Sequence, residues 1–152
     1  MLHTLDKCVS GLKDEDHCGL IVIDIRDFRQ LNRSFGSDLG NAVLATIQER
    51  LAGLESMTFQ TFYLGNDEFG IVLPEVSRAG LAVLYTEQVL QLFKDVFVLD
   101  DHTLKITVNA GVATSLENTT SGERLLYDAE DALRAAKAVS YTHLRAHETS
   151  RN

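Results

Sequence analysis

The stretch Leu64-Gly65-Asn66-Asp67-Glu68-Phe69-Gly70-Ile71 decides how this chain folds. A Gly-Asn pair between two apolar runs is a two-residue hairpin signal, because both residues tolerate a positive φ. Upstream, Met57 to Leu64 is rich in Thr, Phe and Tyr and reads as a strand. Downstream, Phe69 to Leu73 reads as the returning strand, stopped by Pro74, the only proline. Two acidic residues, Asp67 and Glu68, therefore sit at a hairpin tip.

The other elements follow outward from this hairpin. Cys18 to Ile25 is a β-branched apolar run and predicts a buried strand with Asp24 near its C-terminal end. Asp27 to Phe35 predicts a short helix. Ser37 or Asp38 is placed to cap a longer one, with Leu39, Ala42, Val43, Ile47 and Leu51 on one face. Ser77 is placed to cap a helix running to Lys94, with Leu81, Leu84, Val89, Leu92 and Phe93 as its stripe. Val96–Leu99 and Leu104–Ala113 alternate across Asp100-Asp101-His102 and predict a second hairpin. Ser121 starts a last helix to Lys137, with Leu125, Leu126, Ala129, Leu133 and Ala136 inward. Leu2 to Val9 has helical spacing, and Gly11 to His17 is polar and loop-like. The fold class is α+β, with a mostly antiparallel sheet and helices packed over one face.

Size and charge narrow the function classes. The 152 residues suit one domain, read here as 1–139, with 140–152 an atypical tail that is either an insertion or an artefactual end. The net charge of −8 argues against nucleic-acid binding and against contact with anionic membranes. No apolar run approaches 18 residues and no signal-peptide pattern is visible, so a cytoplasmic location is expected. Cys8 and Cys18 fit neither a redox pair nor a zinc cluster and read as reduced thiols.

Chemistry concentrates on Asp24, Asp67 and Glu68. A carboxylate at the end of an apolar strand is costly unless paired, solvated or bound to metal. If the first strand neighbours the hairpin, Asp24 and Asp67 converge at its tip. Two carboxylates and a backbone carbonyl suit Mg²⁺, which keeps waters and takes substrate phosphates. The bland alternative is a charged, solvated hairpin tip.

Five motifs in order resemble the GGDEF domains of diguanylate cyclases. Leu64–Ile71 is similar to their signature. Leu20–Asn32 resembles their strand followed by D-x-D-x-F-K and an Asn. Gly36 with Gly40-Asn41, then Val108–Ala113, then Ala129–Lys137 match further segments, covering about residues 18–139. The resemblance implies a fold related to polymerase palms and nucleotidyl cyclases. It implies that two GTP become cyclic di-GMP with release of pyrophosphate, in a homodimer, each domain holding one GTP. On this chain Asp24, the Ile25 carbonyl and Asp67 would hold Mg²⁺ or Mn²⁺. Glu68 would be a ligand or general base beside Asp67. Asn32 and Asn41 would face guanine. Phe28, Arg29 and Lys137 would grip phosphates, and Gly65 and Asn66 would form the turn that approaches the nucleotide.

The sequence also departs from the family. Asn66 replaces the second Gly of the signature, which keeps the turn but puts a side chain toward the nucleotide. Asn41 replaces an Asp; its amide offers guanine one acceptor where a carboxylate offers two. An unpaired donor costs about 1–3 kcal/mol, a ten- to hundredfold loss of GTP affinity. Arg29 replaces Lys, and Tyr63 stands where a phosphate-proximal Arg is usual. The inhibitory R-x-x-D falls at Ser56 to Phe59 and is missing, so no inhibitory site is expected. After Lys137 the K-x-x-G-R-N ending is disrupted. His143 and His147 have i, i+4 spacing but no third ligand.

Two readings result: a slow diguanylate cyclase, or a degenerate domain that binds nucleotide or a partner protein for regulation. The missing N-terminal D-x-L-T-G-L-x-N-R stretch points to a fragment of a longer protein with a sensor or signalling domain.

Overall fold

Strand β1 (Gly19–Ile25) is buried along its whole length, Asp24 included, and forms the middle of the fold. Apolar residues occupy both of its faces, so a sheet built around it must be covered on both sides. The computed structural model describes residues 1–10, 17–54, 59–76, 79–115 and 121–150. Around β1 are α1 (Leu2–Ser10), α2 (Phe28–Phe35), α3 (Ser37–Ala52), β2 (Gln60–Gly65), β3 (Glu68–Leu73) and α4 (Ala79–Gln91). Then come β4 (Phe97–Leu99), β5 (His102–Leu104), β6 (Val108–Thr114) and α5 (Gly122–Ser150).

The central sheet runs β2-β3-β1-β6, and β4-β5 form a separate ribbon. All neighbouring strands are antiparallel, with Asp24 opposite Glu68 on one side and Asn109 on the other. This is a β-α-β-β-α-β arrangement in which β1 and β3 meet although two helices and β2 separate them in sequence. The α+β expectation and the antiparallel sheet are observed.

Helices cover both faces rather than the single face expected. Ile21, Ile23 and Ile25 pack with Val43, Ile47 and Leu51 of α3, and with Val89 of α4 and Phe93 just beyond it. Leu20 and Val22 point the other way, onto Leu5 of α1 and Leu125, Ala129 and Leu133 of α5. Each buried aliphatic side chain contributes about 1.5–3 kcal/mol. The two layers together fix the register, since a one-residue slip would exchange every side chain between faces.

Several local expectations are corrected. Helix α3 is preceded by Gly36 at φ 90, and no side chain caps it; Ser37 and Asp38 are already in its first turn. Leu84 is 50 % exposed, whereas Val89 and Phe93 of the expected stripe are buried, and Ala82 is buried although the stripe omits it. The run Leu104–Ala113 is two strands. Only Leu104 pairs with β4, as the last residue of the β5 hairpin strand that follows the Asp100-Asp101 turn; residues 105–107 are in no strand, and Val108 onward pairs with β1. Helix α5 continues past Lys137 to Ser150. Ser121 does cap it, its Oγ accepting the Arg124 N–H at 3.2 Å. Gly11–Asp16, Met57–Thr58 and Ser77 lie outside the described residues.

Candidate functional site

Two periodicities bring the first pair of functional groups together. Residues 20, 22 and 24 of β1 face α5, because side chains alternate along a strand. Residues 125, 129, 133 and 137 form one stripe of α5, because i, i+4 positions stack. The apolar pairs Leu20/Val22 and Leu125/Ala129/Leu133 pack, and one step further along both elements Asp24 meets Lys137. The Lys137 Nζ donates to Asp24 Oδ2 in an ion pair. Asp24 is only 3 % exposed, yet its Oδ1 is buried with no hydrogen-bond partner.

The hairpin tip brings the third group. Gly65 (φ 98) and Asn66 (φ 53) carry the positive φ values expected of the turn. The strands nonetheless close one residue later, Gly65 pairing with Glu68, because the register shifts between Tyr63 and Gly65 and leaves Leu64 as a bulge. The turn residues are thus Asn66 and Asp67. The Tyr63 hydroxyl donates to the Asn66 carbonyl at 2.8 Å and fastens this turn. The Ile25 N–H donates to the Asp67 carbonyl at 3.2 Å, which ties the tip to the end of β1.

Asp24, Ile25, Phe28, Arg29, Asp67 and Lys137 consequently line one open groove of about 480 Å³. Arg26, Asp27, Thr107 and Asn109 complete its walls. Glu68 borders the adjoining hollow beside Leu64, Leu126 and Glu130. Asn32 and Asn41 lie outside the groove lining, on the α2–α3 corner. Asn32 Oδ1 is buried and without a partner, packed so closely on Gly40 that a Cβ there would come within 1.8 Å of it. Asn41 is exposed at the start of the second turn of α3. Of the inhibitory-motif positions, Ser56 to Thr58 lie outside the described residues and Phe59 is a buried core residue.

The electrostatics of the groove are strained. Burial pushes the Asp67 carboxyl above its ordinary range, and the Asp24 charge adds to it. Burial also pushes Glu68 up; Lys137 opposes this, while Asp67, Glu130 and Asp24 reinforce it. Burial pulls the Lys137 ammonium down, but the hydrogen bond and charge of Asp24, with Asp67 and Glu68, outweigh it and hold Lys137 above the usual lysine value. Among the described residues no three acidic, His or Cys side chains are gathered as a metal cluster. The hard-oxygen set is two carboxylates plus a carbonyl. The orphaned buried Oδ1 of Asp24 and the charge repulsion on Asp67 both fit a divalent cation.

Four groove residues, Arg26, Asp27, Thr107 and Asn109, are not among the site residues that the sequence motifs mark. For Arg26 the signal exists: it stands at the second acidic position of the D-x-D-x-F-K pattern. For Thr107 and Asn109 only the β1–β6 register reveals it.

Comparison with known proteins agrees with the fold. A family model described as diguanylate cyclase, GGDEF domain, matches residues 1–141. The signaling protein YkoW of Bacillus subtilis is 32% identical over 116 residues, covering 76% of this chain and 14% of YkoW. Diguanylate cyclase DgcN of Escherichia coli is 29% identical over 119 residues, covering 78% of this chain and 29% of DgcN. The chain thus spans less than a third of the length of either relative. The crystal structure of the GGDEF domain of TpbB from Pseudomonas aeruginosa superposes with a TM-score of 0.84 at 23% identity, over 90% of this chain and 86% of that one. With its palm-like sheet, its acidic hairpin tip beside β1 and a family model matching nearly the whole length, this chain belongs to the diguanylate cyclase GGDEF domain family.

Proposed function

We propose that this chain is a diguanylate cyclase domain that condenses two GTP into one cyclic di-GMP and two pyrophosphates. The observation that carries this reading is the buried Asp24 carboxylate, with one orphaned oxygen, on the same groove as Asp67. Asp24, the Ile25 carbonyl and Asp67 would hold Mg²⁺ or Mn²⁺. When bound, the ion supplies charge neutralisation for the triphosphate and lowers the pKa of the attacking 3′-hydroxyl. Arg29 and Lys137 neutralise the remaining phosphate charge, and the α2 N-terminus at Phe28 offers backbone N–H groups, since Asp27 does not cap it. Glu68, beside Asp67 with a raised pKa, is positioned to accept a proton from the attacking hydroxyl. Asn32 and Asn41, on the α2–α3 corner outside the groove lining, would meet the base of a nucleotide that extends beyond the groove. Phosphoryl transfer needs mainly such positioning and charge.

One groove holds one GTP, so turnover requires a second copy of the domain facing the first. The relatives are much longer than this chain, which supports attachment to a sensor or signalling domain. No helix among the described residues is long and apolar enough to cross a membrane, in keeping with a cytosolic site of action. A regulatory, non-catalytic reading draws on different residues: Asn66 and Asn41 replace family residues at the turn and at the base. Incubation with GTP and Mg²⁺ or Mn²⁺, followed by chromatography for cyclic di-GMP, separates the two readings. Product that disappears in Asp67→Ala supports the enzyme. GTP binding without product at high protein concentration supports the regulatory module.

A further inference from the structure

Arg26 is the one groove cation that neither the family pattern nor an ion pair accounts for. It follows β1 by one residue, two positions after Asp24. Its backbone N–H donates to the Thr107 carbonyl at 2.9 Å, which fixes the main chain. Its Nε donates to Asn109 Oδ1 at 3.1 Å, across 83 residues of sequence, which fixes the side chain. Among the described residues no carboxylate forms an ion pair with it, and its terminal Nη groups have no hydrogen-bond partner. The guanidinium stands on the ridge between the Asp24/Asp67 groove and a second hollow of about 330 Å³ beside Gln30, Ser34 and Lys105.

An exposed arginine normally remains mobile and solvated. Here the side chain is held at Nε while the planar end stays open. A guanidinium held in this way has less entropy to lose on binding and presents two parallel N–H donors, the geometry that matches phosphate oxygens. Lys137 is drawn toward Asp24, so it cannot by itself balance a polyphosphate as well. We propose that Arg26, steadied by Asn109, is a phosphate-binding residue of this groove. It grips the polyphosphate of a nucleoside triphosphate from the wall formed by the ends of β1 and β6. Arg26 is a direct ligand of the phosphate, and Asn109 is a positioning residue. This rests on the groove being the polyphosphate site, as in the function proposed above.

The probe is inorganic tripolyphosphate with Mg²⁺, titrated into the full chain by calorimetry. It carries no base, so the substitutions at Asn41 and Asn66 do not enter. Arg26→Gln is expected to weaken binding about tenfold, the effect of losing one charge-assisted pair of hydrogen bonds. Arg26→Lys restores less than half of the loss, because an ammonium lacks the fork. Asn109→Ala weakens binding about threefold through lost positioning, with an unchanged circular dichroism spectrum. Lys137→Met serves as the comparison. If Lys137→Met weakens binding and Arg26→Gln does not, the Arg26 proposal fails and the groove reading stands. If neither variant differs from the unaltered chain, or the unaltered chain does not bind, the groove reading fails and takes the proposal with it.

Discussion

Gly111 offers the sharpest test of how the fold sets the site. It lies on β6 where α5 crosses the sheet, opposite Val22 of β1. A Cβ at this position would sit 2.3 Å from the Ala129 carbonyl oxygen, 2.3 Å from the Leu133 nitrogen and 2.8 Å from the Leu133 Cα. Ordinary contacts lie at about 3.5–4.0 Å, so the strand and helix must separate by roughly 1 Å. All three obstacles are backbone atoms, so no side-chain rotation can absorb the methyl group. Overpacking costs typically about 1–3 kcal/mol, and more where backbone must move. Gly111→Ala is therefore expected to lose about 3 kcal/mol, which corresponds to roughly 10 °C in Tm for a domain of this size. Urea unfolding followed by circular dichroism measures the loss. Lys137 is one helical turn beyond Leu133, so tripolyphosphate binding should weaken in parallel. Gly80→Ala is the control: nothing lies within 4 Å of its added Cβ, and it should be neutral or gain up to about 1 kcal/mol. A Gly111→Ala loss below about 1 kcal/mol, with an unchanged m-value, would refute the close-packing account of how α5 is held.

Further outcomes follow from other contacts. Arg50 donates to the Leu92, Asp95 and Val96 carbonyls at 2.6, 3.1 and 3.1 Å, and its guanidinium lies 3.9 Å over the Phe97 ring. Arg50→Ala should cost about 3 kcal/mol in chemical denaturation, and Arg50→Lys should recover little of it because one ammonium cannot serve three carbonyls at fixed angles. The raised carboxyls of Asp67 and Glu68 mean that the folded state holds protons the unfolded chain has lost; without metal, their contribution favours folding at low pH and fades as pH rises through the folded values. Thermal melts from pH 4 to 8 should show this decline, and Mg²⁺ should reduce it. Asp67→Asn should diminish both the decline and the response to Mg²⁺. Asn66→Gly should leave stability unchanged within about 0.5 kcal/mol, whereas Asn66→Ala should cost about 1 kcal/mol, since φ 53 suits Asn and Gly but not Ala; urea midpoints distinguish the two.

Much of the site was legible before the fold was known because it depends on local chemistry. A carboxylate near the end of an apolar strand and two more on a Gly-Asn turn are unusual enough to mark themselves. Less legible were features set by contacts between distant segments. Leu84 fits the buried stripe by spacing, but α4 is apolar around most of its circumference and periodicity alone cannot choose the inner face. Apolar alternation persists across Leu104–Ala113 and predicts one continuous strand. Only partner geometry shows Leu104 paired with β4 and Val108 onward paired with β1.

The sequence by itself determined the element types, the acidic hairpin tip and the identity of the groups available to hold a cation and phosphates, since these follow from residue chemistry and short-range spacing. The tertiary structure decided which of those groups meet. It set Lys137 against Asp24, tied Asp67 to Ile25 and pinned Arg26 with Asn109, while leaving Asn32 and Asn41 on a separate corner. The physical reason is that a groove is made where sheet register and helix crossing coincide. Both are set by side chains packing from opposite ends of the chain, and no short window of sequence contains them.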